Sequence, residues 1–398
     1  MTAIQAYDAG ISPEDVLTED MLRRFHERAP QYDRDNRFFH EDFEELRDSG
    51  YLNLFVPREF GGIGAGLTDV TRLQRRLAYY APATAIAVNM HLYWTGIAAD
   101  LYRFDDHSLD WMLEESANGE IYAAGHAESG NDLPGSFSTT KAERVEGGYR
   151  FYGRKMFGSL TPVWSRLGVW GMDTEDPRGP QMIHGTITRG AEGYRVEETW
   201  DTLGMRATAS HDTVLEGVFV PDGYVMRVLP AGTQDLFSLA MFANTQPVFG
   251  AIYLGIAERA LDLAIESAKK RTSLALTRSM AYHPEVQHRV AQMVLALEGA
   301  IPQVERVAAD WEAGVDHGPI WGLKLIAAKE NAVEAAKKVV DLAMTVSGGA
   351  GMYKRSELER LYRDVRAGGF HPANSLLVHE LVAKTALGIQ PAEQPRWG

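Results

Sequence analysis

The residues best placed for chemistry lie in one stretch, Ser347 to Asn374, which reads SGGAGMYKRSELERLYRDVRAGGFHPAN. It opens on the pair Gly348 and Gly349. It runs through Leu358, Leu361, Tyr362 and Val365, spaced as one apolar face of a helix. Gly368 and Gly369 break that helix, and Phe370-His371-Pro372-Ala373-Asn374 follows at once. A histidine held at a helix end suits proton transfer, because a free imidazole titrates near pH ~6.5. Arg360, Arg363 and Arg366 lie on the same segment with Asp364 and offer either an anion site or ion pairs within a bundle. On spacing alone, an exposed histidine in a helix–loop–helix is the plainer reading. A second histidine, His91, sits inside AIAVNMHLYWTGIAADLY, which is apolar nearly all round and therefore buried. A hydrogen-bonded core residue is its ordinary reading, and a catalyst the sharper one. The glycines between Phe60 and Gly66 lack the strand, turn and lysine of a phosphate-binding loop and are expected to form a turn.

These residues need a frame. The chain has 398 residues, 45% hydrophobic and 24% charged, as in an ordinary folded protein of two or three domains. Its net charge of -14 argues against a nucleic-acid partner, since phosphate would be repelled. It contains no cysteine, which excludes disulfides, thiol catalysis and cysteine-based metal sites, and no metal is expected. The first residues, MTAIQAYDAGISPEDV, lack a signal-peptide pattern, and no run approaches the ~18 apolar residues of a membrane span. A cytoplasmic protein without membrane contact is expected.

The order of elements is helices, then strands, then helices. Helices are expected over 14–29, 40–49, 67–81 and 84–101. Alternating, aromatic and β-branched runs at 149–157, 167–172, 181–188 and 213–220, punctuated by glycine and proline, predict a β-barrel or sandwich. Long helices follow at 250–270, 285–314 and 320–346, with a last one at 379–387, making a C-terminal four-helix bundle; Pro302 is expected to kink the second. The expected domains are 1–118 (helical), 119–230 (β) and 231–398 (helical), an α+β multidomain chain.

Seven segments in this order resemble the acyl-CoA dehydrogenase fold: FVPREFGG from Phe55, AESGND from Ala127, GGYRFYGRKMFGS from Gly147, DTLGMRATASHD from Asp201, VFVP from Val218, SGGAG from Ser347 and ERLYRDVR from Glu359. The resemblance covers nearly the whole chain. It implies a flavin bound between the β-domain and the C-terminal helices, and a homotetramer. Most dehydrogenases of this family carry a catalytic glutamate eight residues beyond the aspartate of the Arg–Asp pair. Here that pair is Arg363-Asp364 and the position is Pro372. The other family position for the base falls near Asn244-Thr245, again without a carboxylate. The Arg–x–x–Phe–Gly pattern for the second half of FAD is missing after Arg271, and Thr345 stands where a glutamine usually precedes the paired glycines.

A sister branch is more similar, the group D flavin-dependent monooxygenases of the dibenzothiophene monooxygenase type. Its members have a histidine seven residues after that aspartate, which is His371 here, and a Phe–x–Ser in the β-domain, which is Phe157-Gly158-Ser159. They often carry a histidine in the N-terminal helices, for which His91 is the candidate. This resemblance implies a two-component monooxygenase that takes reduced FMN, with FAD as the alternative, from a separate flavin reductase and uses dioxygen on a small organic substrate. The catalytic residues it implies are His371, Ser159 and His91. The cofactor-binding residues are Phe157, Ser159, Arg271, Gly348, Gly349, Arg363 and Asn374, with Arg366 beside Arg363 as a second phosphate candidate and Asn374 also readable as a helix cap. Tyr93, Trp94, Phe157 and Phe370 are expected either to keep the site dry or simply to pack the core. Two other readings stay open: an FAD-dependent acyl-CoA dehydrogenase with a non-standard base, and a non-catalytic relative that only binds an acyl group or a partner.

Overall fold

A computed structural model describes residues 12–131 and 135–389. Asp132 of the AESGND segment, most of the N-terminal stretch and the tail from Pro391 lie outside them. The N-terminal helices are α1 (Glu19–Asp35), α2 (His40–Asp48), α3 (Leu67–Tyr80), α4 (Pro82–Arg103) and α5 (Asp110–Ala117). Thr18 caps α1 by accepting from Met21 N, and Asn36 closes it in the left-handed conformation. The segment Leu52–Pro57 is a short 3-10 turn with irregular chain after it. Apolar on nearly every side, α4 is the axis of this domain. Its Trp94 indole donates to the Ala123 carbonyl at 3.0 Å. The same ring fills the space over Gly168, where a Cβ would lie 2.2 Å from it.

The strands are β1 (Tyr122–Gly125), β2 (Lys141–Val145), β3 (Gly148–Gly158), β4 (Arg166–Asp173), β5 (Gln181–Thr188), β6 (Tyr194–Glu197), β7 (His211–Pro221) and β8 (Val225–Pro230). They form one mixed sheet in the order β6-β7-β3-β2-β4-β5-β8, with β1 parallel on β4. The sheet curls over its own core: Gly185 of β5 faces Val220 of β7 and Phe151 of β3. The barrel-or-sandwich expectation therefore takes the form of a single folded-over sheet. β1, β2, β6 and β8 escaped the sequence pattern because they are short, and β2 and β8 mix buried with exposed residues while β6 has no buried one.

Beyond the sheet come α6 (Leu236–Ala243), α7 (Gln246–Lys270), α8 (Pro284–Glu312), α9 (Trp321–Ser347), α10 (Glu357–Asp364) and α11 (Ser375–Leu387). The three long helices pack closely where residues are small: Gly250 of α7 meets Val304 of α8 and Ala332 of α9. Side chains such as Leu254, Leu325 and Val340 are fully buried there, each contributing about 1.5–3 kcal/mol. Pro302 lies inside α8 without ending it. The Gly348–Met352 segment is a 3-10 turn, and a second one, Val365–Gly369, carries the chain from α10 to His371.

Candidate functional site

A cavity of about 540 Å³ opens between the folded sheet, α4, the junction of α6 with α7, and the chain from Arg363 to Leu377. That volume lies within the range of ~300–1,000 Å³ usual for cofactor and small-molecule sites.

On its helical side the loop bearing His371 is held by side chains from two helices. Gln246, Phe249 and Tyr253 share one face of α7 at i, i+3 and i+7. Gln246 Nε2 donates to the Pro372 carbonyl at 3.1 Å. The Phe249 ring stacks on His371 with centroids 4.7 Å apart. The Tyr253 hydroxyl lies 2.6 Å from His371 Nε2. From α9, the Lys329 ammonium donates to the carbonyls of Ala373 at 2.8 Å and His371 at 3.3 Å. Burial, and then that ammonium, push His371 down to about 3. The expected imidazole titrating near neutrality is therefore a neutral one. Burial also lowers Lys329, to about 8. Asn374 accepts from Leu377 N at 3.0 Å, so its side chain caps α11 while the residue borders the cavity.

On the sheet side, Phe157 and Ser159 both line the cavity. Phe157 sits at φ 57°, is 53% exposed, and meets Trp200 edge-on. Ser159 begins a hydroxyl chain. Its Oγ is 2.7 Å from Ser210 Oγ, which is 2.6 Å from Thr208 Oγ1, which donates to the Met205 carbonyl. Each hydroxyl has one proton, so the chain runs in one direction and leaves Ser159 lone pairs for the cavity. Tyr93 and Phe370 also face this space, whereas Trp94 is sealed behind β1 and β4.

Among the described residues, Glu128 is the sole carboxylate lining the cavity, and it is fully engaged. Lys155 donates to it at 2.5 Å, and Ser138 Oγ, Thr139 N and Thr140 N bond it as well. Burial alone would raise its pKa, but the ammonium and these donors hold it at about 2. It cannot serve as a base at neutral pH. Pro372 and Thr245, at the positions where the sequence resemblance would place a base, border the cavity, and Asn244 is turned to Asp100 at 2.6 Å.

Several expected site residues stand elsewhere. His91 is not a cavity residue: its Nε2 lies 3.0 Å from the Leu52 carbonyl and its Nδ1 accepts from Tyr122 N at 3.0 Å. Both nitrogens serve the backbone, and burial pushes the ring down to about 4. Arg363 borders the cavity, but its guanidinium is committed to Asp33, at 2.6 and 2.9 Å, and to Glu359 and the Leu203 carbonyl. One turn on, Arg366 lines the same cavity and is exposed, with no carboxylate partner among the described residues. Arg271, Gly348 and Gly349 form a separate cluster outside the cavity, where Arg271 Nη1 donates to the Val346 carbonyl at 2.6 Å. They sit at the far end of α7, whose 25 residues span about 37 Å from Gln246.

The sequence reading missed His126, Gln246, Tyr253 and Lys329. His126 lines the cavity and stacks on Trp170 at 3.8 Å, and burial holds it well below the usual imidazole range. Lys329 carried a signal: it falls on the buried stripe of Leu325, Ala332 and Ala336, where a lysine needs a reason.

Helices flanking a folded-over sheet, with a cavity at their junction, are the architecture of a flavin-enzyme class. Residues 12–103 match the family model for the acyl-CoA dehydrogenase N-terminal domain, and residues 247–375 match that for the C-terminal domain. The chain belongs to the acyl-CoA dehydrogenase family, whose members are flavin-dependent oxidoreductases. It is 31% identical to the putative acyl-CoA dehydrogenase YdbM of Bacillus subtilis, over 90% of this chain and 93% of that one. It is 25% identical to the dibenzothiophene monooxygenase of Rhodococcus qingshengii, over 98% and 96%. The crystal structure of a nitrososynthase from Micromonospora carbonacea superposes with a TM-score of 0.82 at 26% identity, covering 97% of this chain and all of that one. The resemblance to both the dehydrogenase family and its oxygen-using branch is thus present in the relatives.

Proposed function

We propose that the protein is the oxygenase of a two-component flavin monooxygenase, taking reduced FMN from a separate reductase and oxidising a small organic substrate with dioxygen. The observation that carries this reading is the cavity's lack of a free carboxylate among the described residues: its one acid, Glu128, is locked to Lys155. Removing a proton beside a thioester needs such a base. Reduced flavin, when bound, would supply the two electrons that reduce one atom of dioxygen to water while the other atom enters the substrate.

The chain's own residues fit that group. Phe157 offers an exposed ring and Ser159 an acceptor oxygen, side by side on β3 and the turn after it. Arg366, without a carboxylate partner among the described residues, replaces Arg363 as the cation for a flavin phosphate. Met90, Tyr93, Phe242 and Phe249 exclude water from the space in front of His371, which protects a reactive oxygen species from hydrolysis. The dibenzothiophene named for one relative is a small organic molecule, and a homotetramer in the cytoplasm is part of this reading.

The 31% identity to a putative acyl-CoA dehydrogenase favours a second reading, an FAD enzyme with a non-standard base. One experiment separates the two. Anaerobic protein with reduced FMN is mixed with oxygenated buffer, and the return of the visible band of oxidised flavin is timed. A delay relative to free FMN is expected. Return at the free rate, together with a yellow purified protein that an acyl-CoA bleaches, would overturn the oxygenase in favour of the dehydrogenase.

A further inference from the structure

The hydroxyl of Tyr253 has one partner among the described residues, His371 Nε2 at 2.6 Å. The tyrosine is fully buried, and burial followed by the nearby Asp364 carboxylate raises its pKa well above the ordinary value, so it keeps its proton. A buried hydroxyl with a single partner must donate to that partner, or its proton stays unsatisfied. Nε2 therefore accepts. The ring is neutral, because burial and the Lys329 ammonium both oppose a second charge. A neutral imidazole carries one proton, and with Nε2 accepting it sits on Nδ1. Nδ1 has no partner among the described residues, yet it is not one of the sealed unpaired atoms, and His371 lines the cavity.

We propose that Tyr253 is a positioning residue that fixes His371 as its Nδ1–H tautomer, so that the cavity meets an imidazole donor and takes there a ligand atom with a lone pair, an oxygen or an unprotonated nitrogen. The inference rests on the reading of this cavity as the flavin and substrate site. It also changes the work assigned to His371. Handing the Nδ1 proton over completely would draw the Tyr253 proton onto Nε2 and leave a phenolate in a fully buried position. The pair therefore donates a hydrogen bond to charge developing on a ligand oxygen and does not abstract a proton from carbon. The backbone anchors of the loop, Lys329 to two carbonyls and Gln246 to a third, keep the ring over Phe249 while it does so.

The test is the ring-nitrogen spectrum of the full chain labelled with ¹⁵N-histidine, without flavin, with His371→Gln identifying the His371 signals. The expected result is a protonated Nδ1 and an unprotonated Nε2 at His371, and loss of that single form in Tyr253→Phe, which removes one oxygen and keeps the ring. A wild-type spectrum with the proton on Nε2 would overturn the proposal, as would an unchanged tautomer in Tyr253→Phe. Should that variant not fold, the wild-type spectrum alone decides. Because no flavin is present, failure here and failure of the oxygen-mixing experiment are separate results.

Discussion

His91 in α4, fully buried, and His371 beyond α10, half-buried at the cavity, share a residue type and a depressed pKa, about 4 and about 3. They differ in what their nitrogens do. Both nitrogens of His91 are bonded to backbone, bridging the Leu52 carbonyl and the Tyr122 amide across 31 to 39 residues of sequence. His371 has one nitrogen on Tyr253 and the other open to a cavity. Suppressed protonation thus does not mark a site by itself; an unsatisfied nitrogen beside a cavity does. The two arginines repeat the lesson. Arg363 spends its donors on Asp33, Glu359 and a carbonyl, while Arg366 keeps its donors for the cavity.

The sharpest way to break the comparison is to truncate each histidine. His371→Ala is expected to stay folded, losing about 1–3 kcal/mol from the urea midpoint because the buried Tyr253 hydroxyl is stranded, and to lose about 10²–10³-fold in substrate oxygenation, the span usual for removing one positioned hydrogen-bond donor. Wild-type turnover in that variant would remove His371 from the reaction. His91→Ala is expected to do the reverse. It leaves a buried carbonyl and amide without partners and opens a cavity, so about 2–5 kcal/mol of stability should vanish from the urea midpoint, while flavin reoxidation per folded molecule stays the same. A stable His91→Ala protein with impaired oxygenation would restore His91 to the site.

What the sequence made legible follows from this contrast. The order of helices, strands and helices was readable from local periodicity, whereas the seven-residue step from Asp364 to His371 and the Phe157–Ser159 pair stood out only through the resemblance to the monooxygenase branch. The orientation of His91 was not, since α4 is apolar on nearly every side and gives no stripe from which to read an inward face. Nor was the division of labour between Arg363 and Arg366. It turns on Asp33, 330 residues away, whose carboxylate reaches one of the two arginines and not the other. Arg271 could have been set apart earlier: a 25-residue helix between it and Gln246 already separates the two ends by about 37 Å. Gln246, Tyr253 and Lys329 emerge only once α7, α9 and the His371 loop are brought together.

The arginine pair offers a middle-sized test. Arg363→Ala strands Asp33 in a buried position and should cost about 3–5 kcal/mol of stability, as breaking a buried pair does. Arg366→Ala should leave the urea midpoint unchanged and weaken reduced-FMN binding about tenfold, the size of one charge-assisted contact at ~1.4 kcal/mol. Equal effects of both changes on stability, with no change in flavin affinity, would mean that neither arginine holds the phosphate.

The smallest expected effect tests whether the two histidines are equally desolvated. In the unfolded chain both take up a proton near pH ~6.5; in the fold they do so only near 4 and 3. Between those limits the unfolded state binds more protons, so each histidine makes stability fall as pH falls, by up to about 1.4 kcal/mol per pH unit. Asp42 and Asp364, raised by burial to about 7 and about 6, oppose this in part, because the fold holds their protons more tightly than the unfolded chain does. Differences between variants cancel those terms. His91→Gln and His371→Gln should each flatten the slope of stability against pH by about one proton in the acid range, measured as urea midpoints at a series of pH values. Flattening at His91 with none at His371 would mean that water enters beside the open Nδ1 and screens the ring. His371 would then be free to charge near neutrality, and the neutral donor held by Tyr253 would give way to an ordinary acid–base histidine.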